Sequence, residues 1–245
     1  ASVKGVDTYA IASRVDATLA TSGRYQTETY VGEGSVITAG QDITIHAKTS
    51  GTSNSDAKAS TLALIVSGDV TYANTNTTIV TFAKVGARSR LDAYRHLTVL
   101  AGADMVQHSS TARDTAGGFK SGAAIVSYND LTRTVDVTIG EGARLTADFG
   151  DINIKSIAGA SDDLTNSATI ENGFSFVGLS KVRTYTVINS TATVNVLPGA
   201  FIEDTFNHVN VLSNSSIKSF FNKASVAVSS VGCEPDALTD TTLKL

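Results

Sequence analysis

Aspartate and histidine alternate at four regularly spaced positions, Asp42, His96, Asp151 and His208. Acid and imidazole together suit acid–base chemistry or metal ligation. The spacing argues against both. If two coils of chain separate successive members, they stand ~10 Å apart, beyond hydrogen-bond or ligand reach. The four positions are therefore expected to be solvent-facing residues where a strand begins. His46 and His108 have no partner in this pattern and are expected at the surface.

Other groups are weighed the same way. The run KVGARSRLDAYRH (84–96) carries Lys84, Arg88, Arg90, Arg95 and His96, which suits a polyanion such as an acidic polysaccharide. Asp92 interrupts it, and a solvated turn is the simpler expectation. Asp162–Asp163 and Glu203–Asp204 suggest glycosidase carboxylates or calcium ligands. Adjacent strand residues point to opposite faces, so an acid–base pair would have to come from different coils. No G-G-x-G-x-D calcium repeat occurs. There is no G-x-S-x-G, phosphate loop, H-E-x-x-H or C-x-x-C. Asn76, Asn189 and Asn214 open N-x-S/T triplets of the kind a Ser/Thr-rich chain produces by chance. Trp is absent and the seven Tyr are dispersed, which weakens a sugar-processing reading. No catalytic, cofactor-binding or metal-binding residue set is assigned, and no cofactor is expected.

The elements that would hold such groups are strands. Hydrophobic residues make up 42 % of the 245, enough for a core, while charged residues are only 17 %. Ser, Thr, Asn and Gly fill the difference, which favours pleated strands and turns over helices. The net charge of −4 creates no large field to steer nucleic acid or an anionic membrane. Apolar runs such as LALIV (62–66) are far short of the ~20 residues of a membrane span. The single cysteine, Cys233, excludes an internal disulfide and is expected to be small and semi-buried. The first residues, ASVKGVDTYA, lack the order of a signal peptide. The chain reads as a piece of something longer.

An internal repeat organises the whole chain. QDITIHA (41–47), RHLTVLA (95–101), GDINIKS (150–156) and NHVNVLS (207–213) correspond, and their first apolar residues are Ile43, Leu97, Ile152 and Val209, spaced 54, 55 and 57 apart. Upstream of each lies a second motif, GSVITA (34–39), RSRLDA (88–93), GARLTA (142–147) and GAFIED (199–204). A third follows, LALIVSG (62–68), GAAIVSY (122–128), GFSFVGL (173–179) and ASVAVSS (224–230), with TYAIASR (8–14) as a fifth copy. The first motifs alternate apolar and polar with period two, the pattern of half-buried strands. Gly34, Gly142 and Gly199 mark turns. Stacked copies would align Ile43, Leu97, Ile152 and Val209, with Ile45, Val99, Ile154 and Val211, as interior columns. Thr44, Thr98, Asn153 and Asn210 would form an outer column.

These features point to an all-β fold, a β-solenoid with about two coils per ~55-residue repeat. Roughly nine coils at ~4.8 Å each give a body about 40–45 Å long. The repeat units are 1–30 (partial), 31–84, 85–138, 139–195 and 196–245, in one segment, 1–245. The N-terminal end has no edge breaker and is expected to be stickier than the C-terminal end, where Pro235, Asp236 and Asp240 blunt the edge.

GSVITAGQDITI (34–45) and GARLTADFGDINI (142–154) resemble the β-helical repeats of large bacterial exoproteins, the filamentous-haemagglutinin-type two-partner secretion adhesins and autotransporter passengers. The resemblance implies a right-handed parallel β-helix, export to the cell surface and a role in adhesion or as a rigid stalk. His96 and His208 depart from it, standing where the repeat has Asp. The leading expectation is a structural or adhesive segment of a secreted or cell-surface protein. Its expected partners are neighbouring repeats, a surface glycan or host receptor, and a second copy end to end, with no nucleic acid and no membrane insertion. The competing readings are a β-helical polysaccharide-processing enzyme and a non-catalytic module for glycan or ice, the latter weakened by the mixed Thr and Asn outer column.

Overall fold

The computed structural model describes residues 2–4 and 8–245, with side chains outside 1–13, 116, 172–175, 228–231 and 233–234. Cys233, whose side chain was expected to be semi-buried, lies outside the described side chains. Twelve strands follow one another: β1 (Ser2–Lys4), β2 (Thr8–Val31), β3 (Val36–Ala39), β4 (Ile43–Val85), β5 (Arg90–Ala93), β6 (Leu97–Ile139), β7 (Arg144–Ala147), β8 (Ile152–Ala158), β9 (Asp163–Val196), β10 (Phe201–Asp204), β11 (Val209–Ser215) and β12 (Ser219–Lys244). Strand covers 83 % of the chain, with no helix among the described residues, which settles the all-β class. Every pairing is parallel. The four short strands, formed by the second motif, make their own sheet in the order β10-β7-β5-β3.

The repeat is the hydrogen-bonding period. Ile43 pairs with Leu97, Leu97 with Ile152, and Ile152 with Val209. The fifth copy of the third motif also falls in register, with Ala12 paired to Val66. One repeat therefore advances the chain by one level, not two as expected. Five stacked levels at ~4.8 Å rise about 20 Å, against the 40–45 Å anticipated.

The missing second coil is accounted for by length within a level. Each long strand doubles back, so that its outgoing and returning legs face each other. Thr49 Oγ1 lies 2.7 Å from Thr81 Oγ1, and Ser55 Oγ donates to Asn74 O at 2.6 Å. One level on, Ser127 Oγ donates to Ser110 Oγ at 2.9 Å. In the next, Asn166 Nδ2 donates to Tyr185 O at 2.8 Å. These pairs converge on bends near 64–65, 118–119 and 175–176. Those bends contain or adjoin the third motif in each of these levels.

Alternation decides what lies between the legs. In β4 the pattern of buried and exposed residues has period two from Ile43 to Lys48. The wide end of each level, next to the short sheet, holds the main apolar core, including Ile43, Val85, Leu91, Leu97, Leu145 and Ile152. A smaller cluster of Ala57, Ala73, Ala112, Ile125, Ala168 and Val182 lies further along the legs. Small side chains suit that place because two facing legs leave little room. Ile43, Ile45, Leu97, Val99, Ile152 and Ile154 are buried as the alternation requires. Val209 and Val211 keep the register but are exposed, because their level forms the edge of the stack.

The turn before each short strand uses the left-handed region. Gly34, Gly142 and Gly199 have φ of 67°, 64° and 73°. Arg88 takes the same place in the second level with φ of 56°. An L-residue there crowds its own carbonyl oxygen, which is why glycine holds the other three positions.

Candidate functional site

The Asp–His column is a chain of backbone caps. His96 N donates to Asp42 Oδ1 at 3.1 Å, Asp151 N to His96 Nδ1 at 2.9 Å, and His208 N to Asp151 Oδ1 at 3.3 Å. Members one level apart are within reach, contrary to the ~10 Å spacing expected from two coils per repeat. What each side chain meets is an amide N–H at the start of the next strand. Aspartate and imidazole substitute for each other because both present an acceptor. The His96 ring accepts through Nδ1, so its neutral form carries the proton on Nε2.

The other sequence candidates are drawn into local contacts. In the basic run, Arg88 pairs with Glu33, Arg90 Nε with Asp92 Oδ2 at 2.5 Å, and Arg95 with Asp42 at 3.9 Å. Lys84 Nζ lies 5.7 Å from the centre of the Tyr30 ring. Asp163 is exposed, whereas Asp162 is wholly buried and bound at both carboxylate oxygens by Arg133 Nη1, at 2.8 and 2.7 Å. Met105 N also donates to Asp162 Oδ1 at 2.8 Å. Burial pushes the Asp162 carboxyl up, and Arg133 and the Met105 amide oppose that shift. This ion pair clamps the interior beside the turn between β8 and β9. Glu203 faces Arg144 at 3.9 Å, and Asp204 Oδ1 accepts from the amides of Phe206 and Asn207. Asp204 thus shapes a turn.

His108 corrects the expectation of a surface residue, being only 1 % exposed. It faces the opposite leg, with Nδ1 3.4 Å from Thr77 Oγ1. Burial pulls its pKa down to about 4, so the ring is neutral at pH 7.

The bend gathers the remaining unusual chemistry. Asp69 on a returning leg and Asp114 on the outgoing leg of the next level are 2 % and 1 % exposed. Thr61 Oγ1 hydrogen-bonds Asp69 Oδ1. Asp69 Oδ2 and both oxygens of Asp114 have no hydrogen-bond partner among the described residues. Burial, and then the neighbouring Asp69 charge, push Asp114 up to about 8, so Asp114 holds its proton at neutral pH. A glycosidic oxygen cannot approach carboxyls so enclosed. Outside them the bend presents apolar side chains to solvent. Leu64 is 76 % exposed, Phe119 59 % and Leu179 62 %. The rings of Phe119 and Phe176 stack at 5.4 Å across two levels. LALIV (62–66), in the third motif, lies at the bend within β4, with Leu62, Leu64, Ile65 and Val66 exposed.

A second surface feature stands beside the short sheet. Tyr94, Phe149 and Phe206 form a ladder with centroid separations of 5.0 and 5.2 Å. Their faces are spent largely on one another, which suits edge stabilisation better than stacking of sugars. Their spacing of 55 and 57 residues matches the repeat and was a readable signal. Asp69 and Asp114 gave no such signal, since they lie 45 residues apart on opposite legs.

Compared with protein-family models, with curated proteins and with solved structures, the chain matches none. The function must be argued from the geometry.

Proposed function

We propose that the chain is a stretch of β-solenoid that acts as a rigid stalk or adhesion surface in a large secreted or cell-surface repetitive protein. The observation that carries this reading is the parallel pairing of successive repeats, which sets Ile43, Leu97, Ile152 and Val209 side by side at offsets of 54, 55 and 57 residues. Each level buries its apolar columns against the next, as a repeat must when it cannot bury a face alone. The outer ladders support the same reading. The Asp–His caps, Asn210 Nδ2 to Asn153 Oδ1 at 3.4 Å and the aromatic stack all run along one axis. A body held by ladders on its core and its surface resists bending, which is what a spacer requires.

Val209, Val211, Phe201 and Phe221 are exposed on the last level. Another level of the same kind, or a second copy end to end, would cover them. In this reading the solenoid winds right-handed, as parallel crossover connections do. A surface glycan or host receptor is then the natural ligand at the cell surface. The test is electron microscopy of the parent protein together with an adhesion assay on cells lacking its gene. Thin rods and lost adhesion are expected; a compact particle and unchanged adhesion would sink the proposal.

A further inference from the structure

Two buried carboxylates lack what a third one has. Asp162 is met at both oxygens by Arg133 and at one of them by the Met105 amide. Asp69 and Asp114 are as deeply enclosed, and neither enters an ion pair among the described residues. Asp69 Oδ1 accepts from Thr61 Oγ1 and, at 3.3 Å, from the Val15 amide. Asp69 Oδ2 and both Asp114 oxygens have no such partner among the described residues. Charged oxygens taken out of water are strongly disfavoured unless they are paired or coordinate a metal.

A hydroxyl is aimed at the same place. The outgoing and returning legs run in opposite directions, and Thr61 meets Asp69 across them. Two residues back on one leg and two on along the other, Ala59 therefore stands opposite Thr71. Asp114 is the ladder partner of Ala59 one level on. Thr71 thus faces the row that carries Asp114, and its Oγ1, wholly buried, has no hydrogen-bond partner among the described residues. Ser67 Oγ, on the other side of Asp69 along the same leg, is likewise buried and unpartnered. No large side chain fills the space, because the ladder partners of Asp114 and Asp69 between these two levels are Ala59 and Ala123. Asp69 also borders a surface depression that Arg14 and Lys181 line. Each of those stands beside an acid of its own, Asp16 and Asp236, so their charges are answered outside the buried pair.

We propose that Asp69, Asp114 and Thr71 form an interior site for a calcium ion, which joins two successive levels beside the bend. Every donor is an oxygen, which selects a hard cation over zinc or copper. Two carboxylates match a doubly charged ion, so the occupied site is neutral. Magnesium keeps its waters and demands a near-ideal octahedron, whereas calcium accepts donors spread over two legs and two levels. The protein offers Asp69 Oδ2, both Asp114 oxygens and Thr71 Oγ1, and water completes the shell. So few protein ligands place the affinity at the weak end, about 10⁻⁴–10⁻³ M. When calcium is withheld Asp114 keeps its proton, and on binding that proton leaves to solvent. The site does not rest on the stalk reading, since either can hold without the other.

The experiment is equilibrium dialysis of the 245-residue chain against radioactive calcium chloride, in mildly alkaline buffer with excess sodium chloride. Saturable binding of one ion per chain is expected, and an equal concentration of magnesium should not displace it. Asp69→Asn and Asp114→Asn should each weaken binding by about tenfold or more, because each removes a charge from the ligand set. Thr71→Val keeps the shape and removes one oxygen, and should weaken binding about threefold. Asp163→Asn, at an exposed carboxylate, is the control for surface charge and should leave binding unchanged. Calcium should also raise the thermal unfolding midpoint of the wild type and not that of Asp114→Asn. Circular dichroism of each variant checks the fold. No saturable calcium binding by the natively folded chain overturns the proposal. So does binding that Asp69→Asn and Asp114→Asn leave intact, or that magnesium matches.

Discussion

Replacing Asp114 by Asn should make the protein progressively more stable than wild type as the pH rises. Asp114 is 1 % exposed, beside Asp69, and its carboxyl is pushed up to about 8 from an ordinary 3.8. A raised carboxyl pKa means the folded state holds a proton that the unfolded chain has released. Its stabilising contribution is complete below pH ~3.8 and is lost as the pH climbs through about 8. At ~1.4 kcal/mol per pH unit, the loss approaches about 5 kcal/mol by pH 8.5. Asparagine keeps the volume, does not titrate, and can donate its amide to Asp69. Near pH 4 the two proteins should differ by no more than about 1 kcal/mol. By pH 8.5 the variant should lead by several. Urea unfolding at half-unit pH steps measures this directly, provided the denaturant slope is the same for both proteins. Parallel stability profiles from pH 4 to 8.5 would refute the reasoning and mean that Asp114 is solvated or has a cation for company.

Three further outcomes follow from the interior and the turns. His108, held to about 4 against an ordinary 6.5, contributes stability present above pH ~6.5 and lost as the pH falls toward 4. His108→Gln should therefore remove about 3 kcal/mol of acid sensitivity between those limits, read by urea unfolding in the Asp114→Asn background to keep the two titrations apart. Arg133→Met strands the buried Asp162 carboxylate and should cost about 3–5 kcal/mol, with part recovered by adding Asp162→Asn. An Arg133→Met protein as stable as wild type would mean that Asp162 is already neutral. Arg88→Gly relieves the left-handed backbone and loses only the exposed Glu33 pair, so it should stabilise by about 0.5 kcal/mol in the same assay; a loss of stability would show that the turn depends on the arginine.

The amino-acid sequence determined the parts of this protein that local chemistry repeats. Alternation in DITI, LTVL, DINI and VNVL dictates strands, and the 54–57 residue spacing dictates which residue stands beside which. Ile43, Leu97 and Ile152 are buried in one column because both signals agree. Gly34, Gly142 and Gly199 mark turns because only one residue type adopts their backbone without strain, and Arg88 escapes that rule because its strain is small and tolerated. Tertiary structure decided how a repeat is folded within its own level. Fifty-five residues can be divided into two coils or doubled into two facing legs, and leg-to-leg contact has no period in the sequence. That choice makes one repeat one level, brings His96 within reach of the Asp151 amide, and turns LALIV outward at a bend. It also buries His108 against Thr77, Arg133 against Asp162, and Asp69 beside Asp114. Each of those pairs joins residues whose separation is not a multiple of the repeat, so only the folded chain could bring them together.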